Sequence, residues 1–364
     1  MGRTQVDSRV ETLPYSWYAD PAVAAAERDR IFRRSWQYAG HTGELNGPGS
    51  MFPTQVGGLP VVVVLDRNEE LRAFMNVCRH RGTVLVNEPQ SRGTIQCPYH
   101  AWTYGLDGAL RGAPRSKDEP GFDASCLGLV PVQVGTWGPF VFVNPDMEAP
   151  PLDAALGSLP EVVAENGLDV DSLRFHSRGF YEIRANWKIA IENYLECYHC
   201  QLNHPDFVKV IDEQRQRMEA DGLRLSQFPP IHPDAYTDAA PYDVSDSVPT
   251  AQYHVLFPAM KFNVNPGRPN LSIGPMWPVA TDRTAAWFDY FFAEDTDEAW
   301  IEEMLAFDNQ VGAEDIGLVE AVQRGAASGA LEHGRLLTRT ERLIGAFQDM
   351  VRARVEPALR SEGV

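Results

Sequence analysis

The sequence has little basic charge, because 32 lysine and arginine residues stand against 50 aspartate and glutamate residues, a formal net charge of −18. A protein that binds phosphate groups needs a basic surface, so this balance argues against nucleic-acid partners and against docking on anionic lipid. The sequence also lacks a run of about 20 apolar residues, the length that a membrane-spanning helix requires. We therefore expect a protein that contacts neither nucleic acid nor a membrane.

Cysteine is scarce as well, with five residues, at positions 78, 97, 126, 197 and 200. No apolar segment typical of a secretory signal is present between Met1 and Tyr15. An odd number of cysteines without an export signal argues against a disulfide framework, so we expect a cytoplasmic protein whose thiols are free to bind metals. Cys197 and Cys200 are interpreted as packed small residues, with a zinc or redox pair as the alternative.

The length predicts two domains, here preceded by a short N-terminal segment. Asp20 at the cap and Pro21 at the first helical position predict a helix to about Trp36. It lies within residues 1–39, a segment that we expect to pack on the second domain. Short apolar runs between turn residues predict an all-β domain over residues 40–150. The runs that indicate its strands are Val61–Leu65, Ala73–Val77 and Phe140–Val143.

Residues 151–364 alternate between helical and strand patterns, which predicts an α+β domain and an α+β fold class for the whole chain. Thr338 and Glu341 have the spacing of a capping box, which predicts that the last helix starts there. The other predicted elements are helices from Asn186 to about Leu202 and from about Trp300 to Arg324, and strands at Leu271–Ile273 and Ala285–Phe292.

Two short Cys/His pairs form the most specific motif of the chain. Cys78 and His80 are followed by Cys97 and His100 in the pattern C-x-H-x16-C-x2-H. Four such ligands suit tetrahedral zinc, or a [2Fe–2S] cluster in which two histidines bind one of the irons. Zinc fingers usually group their cysteines before their histidines, whereas here the two types alternate. Each turn therefore offers one thiolate and one imidazole, which favours the iron–sulfur cluster.

A second group of potential ligands lies in the helix predicted before residue 202. At about 100° per residue, Glu192, Glu196 and His199 fall on one stripe of such a helix. His199 and His204 are five residues apart and converge only if the helix ends between them, which Pro205 favours. Two histidines and a carboxylate form a facial triad that leaves positions on iron(II) open. Taken alone, the pattern is equally consistent with ordinary polar residues.

The two motifs in this order resemble the alpha subunits of Rieske non-haem iron oxygenases, the family of the aromatic ring-hydroxylating dioxygenases. The resemblance extends from about Tyr15 to the C-terminal helix, and the stretch Ala101–Tyr104 adds to it, although Ala101 replaces a commoner glycine. It implies an all-β Rieske domain and a helix-grip-like α+β catalytic domain with an antiparallel sheet. It further implies two cofactors, a mononuclear Fe(II) and a [2Fe–2S] cluster bound by Cys78, His80, Cys97 and His100.

The same resemblance implies that His199 and His204 bind the mononuclear iron together with a carboxylate late in the chain. We assign this third ligand to Asp315, on a predicted helix, with Asp308 one heptad earlier as the fallback. The segment between Glu192 and His204 matches the iron-site segment of the family, which gives Asn193 a catalytic role as well.

Glu196 corresponds to the carboxylate that, in the family, bridges an iron histidine and a Rieske histidine of the neighbouring subunit. The ring dioxygenases usually have aspartate there, and glutamate looks more like the branch that acts on quaternary ammonium compounds such as carnitine or glycine betaine. A quaternary ammonium group needs an aromatic cage. Aromatic residues of the second domain that could form one are Tyr253, Phe262, Trp277, Trp287 and Tyr290.

The resemblance implies the terminal component of an O2-dependent system that hydroxylates or oxidatively demethylates a small organic molecule. The expected partners are an NAD(P)H-dependent flavin and iron–sulfur reductase, or a ferredoxin, and further copies of the chain in a homotrimer. Two alternatives stay open. One is hydroxylation of an aromatic ring, and the other is a Rieske electron-transfer protein without catalysis of its own.

Overall fold

The computed structural model describes residues 10–232 and 248–362, and the chain divides into two compact units. One unit covers residues 32–152, and the other combines the residues up to 31 with those from 153 onwards. The first unit therefore starts earlier than the β domain predicted for residues 40–150. Among the described residues, no helix has both the length and the apolar character needed to cross a membrane.

The unit of residues 32–152 consists of β-strands, turns and three short 3₁₀ helices. Seven strands form an antiparallel sheet in the order β1-β10-β9-β4-β3-β2-β5, and three short strands form a second sheet, β6-β7-β8. The strands are β1 Gln37–His41, β2 Ser50–Val56, β3 Leu59–Leu65, β4 Leu71–Met75, β5 Gln90–Ser91, β6 Ile95–Gln96, β7 Thr103–Tyr104, β8 Leu110–Gly112, β9 Pro131–Trp137 and β10 Phe140–Asn144. This architecture confirms the predicted all-β domain.

Strand β3 shows how this unit forms two cores. Successive side chains of a strand point to opposite faces of the sheet. Val61 and Val63 accordingly pack in one buried cluster, which includes Phe52 and Val141. Val62 and Val64 pack in the other cluster, which also contains Cys78, Cys97 and Trp102. The second core therefore fixes the two cysteines of the Cys/His motif.

The other unit is a seven-stranded antiparallel sheet with helices, in the strand order β11-β17-β16-β15-β14-β13-β12. This confirms the predicted antiparallel sheet of an α+β domain. Its strands are β11 Leu173–Ile183, β12 Arg217–Asp221, β13 Arg224–Phe228, β14 Gln252–Leu256, β15 Met260–Val264, β16 Asn270–Ala280 and β17 Arg283–Ala293. The helices of the described chain are α1 Pro21–Arg30, α2 Leu152–Leu156, α3 Leu159–Glu165, α4 Trp187–Tyr194, α5 Cys200–Asn203, α6 Glu298–Ala327 and α7 Arg342–Glu362.

Helix α1 begins as predicted but ends early. The side chain of Asp20 accepts a hydrogen bond from the backbone N–H of Ala22 at 2.8 Å, and Pro21 is the first helical residue. The predicted end near Trp36 is wrong, since the helix stops at Arg30 and a strand begins at Gln37. Helix α1 packs against α7 of the same unit.

The start predicted for the last helix is also wrong. Helix α7 begins at Arg342, and residues 338–340 form a turn before it. The carboxylate of Glu341 accepts a hydrogen bond from the backbone N–H of Leu337 at 2.5 Å, not from that of Thr338. The backbone N–H of Glu341 in turn donates to the carbonyl of Leu337 at 2.8 Å. Glu341 therefore closes the turn instead of capping the helix.

Candidate functional site

The two turns of the Cys/His motif have matching geometry. In the first, the backbone N–H of Cys78 donates to the carbonyl of Thr83 at 2.8 Å, and Gly82 adopts a φ of +75°. In the second, the backbone N–H of Cys97 donates to the carbonyl of Trp102 at 2.8 Å, and Ala101 has a φ of +56°. A left-handed conformation is costly for alanine, which explains why glycine is the commoner residue at this position.

Both turns bury a cysteine and expose a histidine. Cys78 and Cys97 are free thiols with exposed fractions of 2% and 3%, whereas the rings of His80 and His100 are exposed, 4.8 Å apart between centroids. Burial alone would raise the pKa of the Cys97 thiol, but backbone N–H groups that follow it lower that pKa on balance. The Cys97 thiol therefore loses its proton more easily than an ordinary cysteine. Two thiolates and two imidazoles on adjacent turns are a donor set that fits a [2Fe–2S] cluster.

The iron-site segment differs from its prediction. One helix from Asn186 to about Leu202 is wrong, because α4 and α5 are separated by residues 195–199. The carboxylate of Glu196 accepts a hydrogen bond from the backbone N–H of Tyr198. Side chains that bond nearby backbone N–H groups compete with helix formation. Glu196 therefore stabilises the break between the two helices.

The break brings together the three residues that the sequence assigned to the mononuclear metal. Nε2 of His199 lies 3.2 Å from Nε2 of His204. Oδ1 of Asp315, on α6, lies 3.3 Å from the first of these nitrogens and 3.0 Å from the second. The three donor atoms therefore share one small space, which could hold a single metal ion. The set of two nitrogens and one oxygen suits iron(II) with open positions.

Each histidine also has a carboxylate on its other ring nitrogen. Nδ1 of His199 contacts Oε1 of Glu196, and Nδ1 of His204 lies 2.7 Å from Oε2 of Glu314. Such pairs fix the ring orientation and leave Nε2 to a metal, an arrangement common to metal-binding histidines. The sequence analysis did not single out Glu314. The position of Glu314 next to Asp315 in the sequence was the one feature that could have indicated a role at the same site.

The pKa values of this group follow from the same contacts. Burial favours the neutral ring of His199, but hydrogen bonds with Asp315 and Glu196 outweigh it and raise its pKa to about 9. Burial favours the protonated form of Asp315, yet the two histidines keep the pKa of Asp315 below its usual value. A carboxylate that stays ionised in a half-buried place is a good ligand for a cation.

The other predicted residues lie beside the three donor atoms. Nδ2 of Asn193 donates a hydrogen bond to Oδ1 of Asp315 at 3.2 Å, so Asn193 holds this carboxylate in place. Asp308, the fallback ligand, instead accepts a hydrogen bond from the hydroxyl of Tyr290 at 3.1 Å. Burial raises the pKa of Asp308, an effect that the charge of Lys261 partly opposes.

Cys197 and Cys200 form a disulfide bond, so the expectations of free thiols and packed small residues are wrong for this pair. The break between α4 and α5 places their Cα atoms 5.0 Å apart, within the usual range for disulfides. Sγ of Cys200 lies 3.9 Å from Nε2 of His199. The disulfide therefore borders the metal-binding space without contributing a free thiolate.

A pocket opens from this space towards the sheet. Its wall includes Tyr253 and Tyr290 from the predicted set of aromatic residues, but not Phe262, Trp277 or Trp287. The aromatic side chains that line the pocket are those of Tyr181, Tyr194, Phe207, Tyr253, Phe288, Tyr290 and Phe307. The ring of Phe207 lies 6.4 Å from that of His204 and 6.2 Å from that of Tyr253, so aromatic faces begin next to His204.

Lys261 is a pocket residue that the sequence analysis missed. Its ammonium lies 4.0 Å from the ring centroid of Tyr194 and 5.2 Å from that of Phe288. On β15 it alternates with the buried Met260 and Phe262, a pattern that usually indicates a face in contact with solvent. Here the polar face of the strand turns towards the pocket instead.

Two family models match the chain. The Rieske [2Fe-2S] domain matches residues 35–131, and the ring hydroxylating alpha subunit (catalytic domain) matches residues 170–357. The carnitine monooxygenase oxygenase subunit of Acinetobacter pittii (strain PHEA-2) is 31% identical over 91% of this chain and 90% of its own length. The chloroplastic choline monooxygenase of Amaranthus tricolor is 30% identical over 92% of this chain and 76% of its own length.

A solved structure is similar to this chain in both sequence and fold. The crystal structure of the quaternary ammonium Rieske monooxygenase CntA in complex with the substrate L-carnitine aligns with a TM-score of 0.84 and 29% identity. The alignment covers 96% of this chain and 97% of that one. The likeness therefore extends over both units.

Proposed function

Since the chain belongs to the Rieske non-haem iron oxygenases, the family of the ring-hydroxylating alpha subunits, we propose that it hydroxylates or oxidatively demethylates a small quaternary amine. It is the terminal oxygenase component of its system, an oxidoreductase with a [2Fe–2S] cluster and a mononuclear iron. When bound, the cluster supplies electrons one at a time and the iron activates O2.

For the mononuclear iron, the proposed ligands are His199, His204 and Asp315. The observation that supports them best is the pairing of both histidines with carboxylates through Nδ1, which leaves both Nε2 atoms directed at one oxygen of Asp315. Asn193 positions that carboxylate through its hydrogen bond to Oδ1. For the cluster, the proposed ligands are Cys78, His80, Cys97 and His100.

Glu196 has the proposed role of electron relay and positioning residue. It accepts the N–H of His199 on one side, and its side chain retains an exposed fraction of 10%. The rings of His80 and His100 are exposed in their own unit. We propose a homotrimer in which Glu196 of one copy accepts a hydrogen bond from a Rieske histidine of the next, with electrons delivered by an NAD(P)H-dependent reductase or a ferredoxin. The proposed location is the cytoplasm.

The observation that carries the substrate proposal is the aromatic wall next to His204. The ring of Phe207 borders this histidine and the ring of Tyr253 packs on Phe207, and the face of an aromatic ring attracts a quaternary ammonium group. An N-methyl group held there lies beside the proposed iron. The relatives named for carnitine and choline support the same substrate class.

Overall, oxidation of an N-methyl group consumes O2, two electrons and two protons, inserts one oxygen atom into a C–H bond and releases water. The hydroxymethyl product then breaks down to formaldehyde and a tertiary amine.

The test is turnover of the reconstituted enzyme with a compatible reductase. Quaternary amines such as L-carnitine, γ-butyrobetaine, glycine betaine and choline form one arm, and simple aromatic acids form the other. We expect substrate-dependent formation of formaldehyde, or of a hydroxylated product, in the first arm. Hydroxylated products from the aromatic acids alone would favour the alternative, hydroxylation of an aromatic ring.

A further inference from the structure

One pocket residue, Lys261, is at odds with a purely cationic substrate. The chain has four lysines, at positions 117, 188, 209 and 261. Lys261 is the one of them that lines the pocket with the metal-binding histidines, where its side chain remains partly exposed. A positive charge in the substrate pocket repels an ammonium group and attracts an anion.

The ammonium of Lys261 is not neutralised by a direct contact. It rests on the rings of Tyr194 and Phe288, and no hydrogen bond or ion pair links it to another residue in the described part of the chain. Burial lowers the pKa of Lys261, and the charges of Asp315 and Asp308 oppose this effect. Both acids are engaged elsewhere, Asp315 with the histidines and Asp308 with Tyr290. Lys261 is thus free to bind an anionic group.

The ring below Lys261 is held in position. The hydroxyl of Tyr194 donates to Oδ1 of Asn263, which follows Lys261 on the same face of β15. Nδ2 of Asn263 donates to Ser272 at 2.9 Å, and Gln227 donates to the carbonyl of Tyr194 at 2.7 Å. Both the ring and the strand that carries the ammonium are therefore fixed before a ligand enters.

The pocket has two distinct places for charge. Tyr194 stands between Lys261, which lies over its ring, and Tyr253, whose ring centroid is 6.5 Å from its own. Tyr253 belongs to the aromatic wall beside His204 that suits a quaternary ammonium group. A molecule that reaches from this wall to Lys261 needs a cationic group at one end and an anionic group at the other.

We propose that Lys261 binds the carboxylate of the substrate, so that the substrate is a zwitterion with a quaternary ammonium group and a carboxylate. This rests on the proposed function, whose substrate class it narrows. Choline, which bears no carboxylate, leaves Lys261 unpaired and is a poor substrate. Lys261 determines specificity and takes no part in the oxidation itself.

The experiment compares four compounds of similar shape. Glycine betaine carries both charges, choline only the positive one, 3,3-dimethylbutanoate only the negative one, and 3,3-dimethylbutan-1-ol neither. Binding of each to the wild-type holoenzyme is measured by calorimetry, and kcat/KM is measured for glycine betaine and choline with the reductase present. We expect each carboxylate to bind more tightly than the matching alcohol.

The variant Lys261→Met keeps the length of the side chain and removes its charge. Because a hydrogen bond to a charged group is worth about 1.5–3 kcal/mol, we expect carboxylate binding to weaken on the order of 10- to 100-fold. The loss of kcat/KM for glycine betaine should appear mainly in KM.

For choline, kcat/KM should rise in Lys261→Met, because the repulsion between two positive charges disappears. Lys261→Arg keeps the charge and should retain the preference for carboxylates, and Lys117→Met, at an exposed position of the other unit, is the matched control.

The proposal is overturned if glycine betaine and choline lose activity equally in Lys261→Met, or if carboxylates bind wild type no better than alcohols. Binding of 3,3-dimethylbutanoate separates this proposal from the proposed function, because it requires no reaction. If that binding depends on Lys261 while no quaternary amine yields product, the carboxylate site stands and the quaternary amine assignment fails. If formaldehyde forms but binding of 3,3-dimethylbutanoate is independent of Lys261, the quaternary amine assignment stands and the carboxylate site fails.

Discussion

The two metal-binding regions use histidine in opposite ways. In the unit of residues 32–152, the rings of His80 and His100 are exposed and the cysteines are buried. In the other unit His204 has an exposed fraction of 2%, and both His199 and His204, the proposed iron ligands, have a carboxylate at Nδ1. An exposed ring can pass an electron to a partner, whereas a buried ring with a carboxylate behind it is a rigid and basic ligand. The environment of the ring, not its identity, separates the two roles.

The largest expected effect tests whether the two sites are independent. His204→Ala should lower turnover more than about 1,000-fold, because the iron loses a ligand and the chemistry that it supplies. The cluster should remain, since its four proposed ligands lie in the other unit. Metal analysis together with labile sulfide measures both sites in one sample. Cys97→Ser is the complementary variant at the other site and should remove the cluster while the mononuclear iron stays bound. Loss of both metals in either variant would show that the sites depend on each other.

The next effect concerns Glu196, the carboxylate that contacts Nδ1 of His199. Glu196→Ala should leave both metals bound but reduce coupled turnover on the order of 100-fold, because the relay and the orientation of His199 are lost. Reduction of the cluster by the reductase, followed by its absorbance, should continue. Full activity in this variant would refute the relay, and Glu196→Gln tests whether the negative charge is needed.

A smaller effect is expected at Glu314, the carboxylate that lies against the buried ring of His204. Glu314→Gln replaces the carboxylate on Nδ1 of His204 by an amide, so the ring becomes a less basic ligand. We expect iron affinity to fall on the order of 10-fold, measured as iron retained during dialysis against a chelator. Glu302→Gln, at an exposed position of the same helix, is the control. Equal retention in both variants would mean that Glu314 does not support the metal.

The cluster has its own supporting hydrogen bond. The hydroxyl of Tyr104 accepts from the backbone N–H of Arg79 at 3.0 Å and lies 3.3 Å from Sγ of Cys78, to which it can donate. Such a bond stabilises the more negative, reduced cluster. Tyr104→Phe should therefore lower the reduction potential by about 40 mV, the one-electron equivalent of roughly 1 kcal/mol. A redox titration measures it, and an unchanged potential would exclude the bond.

The smallest effect is a pH dependence of stability next to the iron site. Burial raises the pKa of Glu192 on α4 to about 7, although Gln348 and Tyr18 donate hydrogen bonds to it. The folded chain therefore binds a proton between pH 4.5, the ordinary pKa of glutamate, and about 7. Stability that is present below this window should fall as pH rises through it, by on the order of 1 kcal/mol. Thermal melts from pH 4 to 8 should show a flatter profile for Glu192→Gln, and parallel profiles would contradict the assignment.

The Cys/His motif could be read from the sequence because each of its halves is one turn. Cys78 and His80 lie on one turn and Cys97 and His100 on the next, so spacing along the chain and spacing in space nearly coincide. The choice of Asp315 over Asp308 came from the resemblance of this segment to that of the family, and the structure brings Asp315 to the two histidines.

The helix break, the disulfide and the pocket lysine could not be predicted, because they depend on contacts that no local sequence pattern reveals. The break after α4 arises from the carboxylate of Glu196, which has to be seen bonded to the backbone N–H of Tyr198. That break also brings Cys197 and Cys200 together as a disulfide. Lys261 was missed because an alternating strand has the same pattern whether its polar face meets solvent or a pocket.

Helix α6 has a consequence for the size of the molecules that fit. Asp308 and Asp315 are seven residues apart on it, and both line the pocket. Seven residues of helix rise about 10 Å and return to nearly the same face. The depth of the pocket between Asp315, beside the two histidines, and Asp308, beside Tyr290, is therefore set by the helix backbone, which cannot stretch. Accommodating a longer or shorter molecule requires new side chains on the strands opposite, and a graded series of chain lengths would show a sharp optimum.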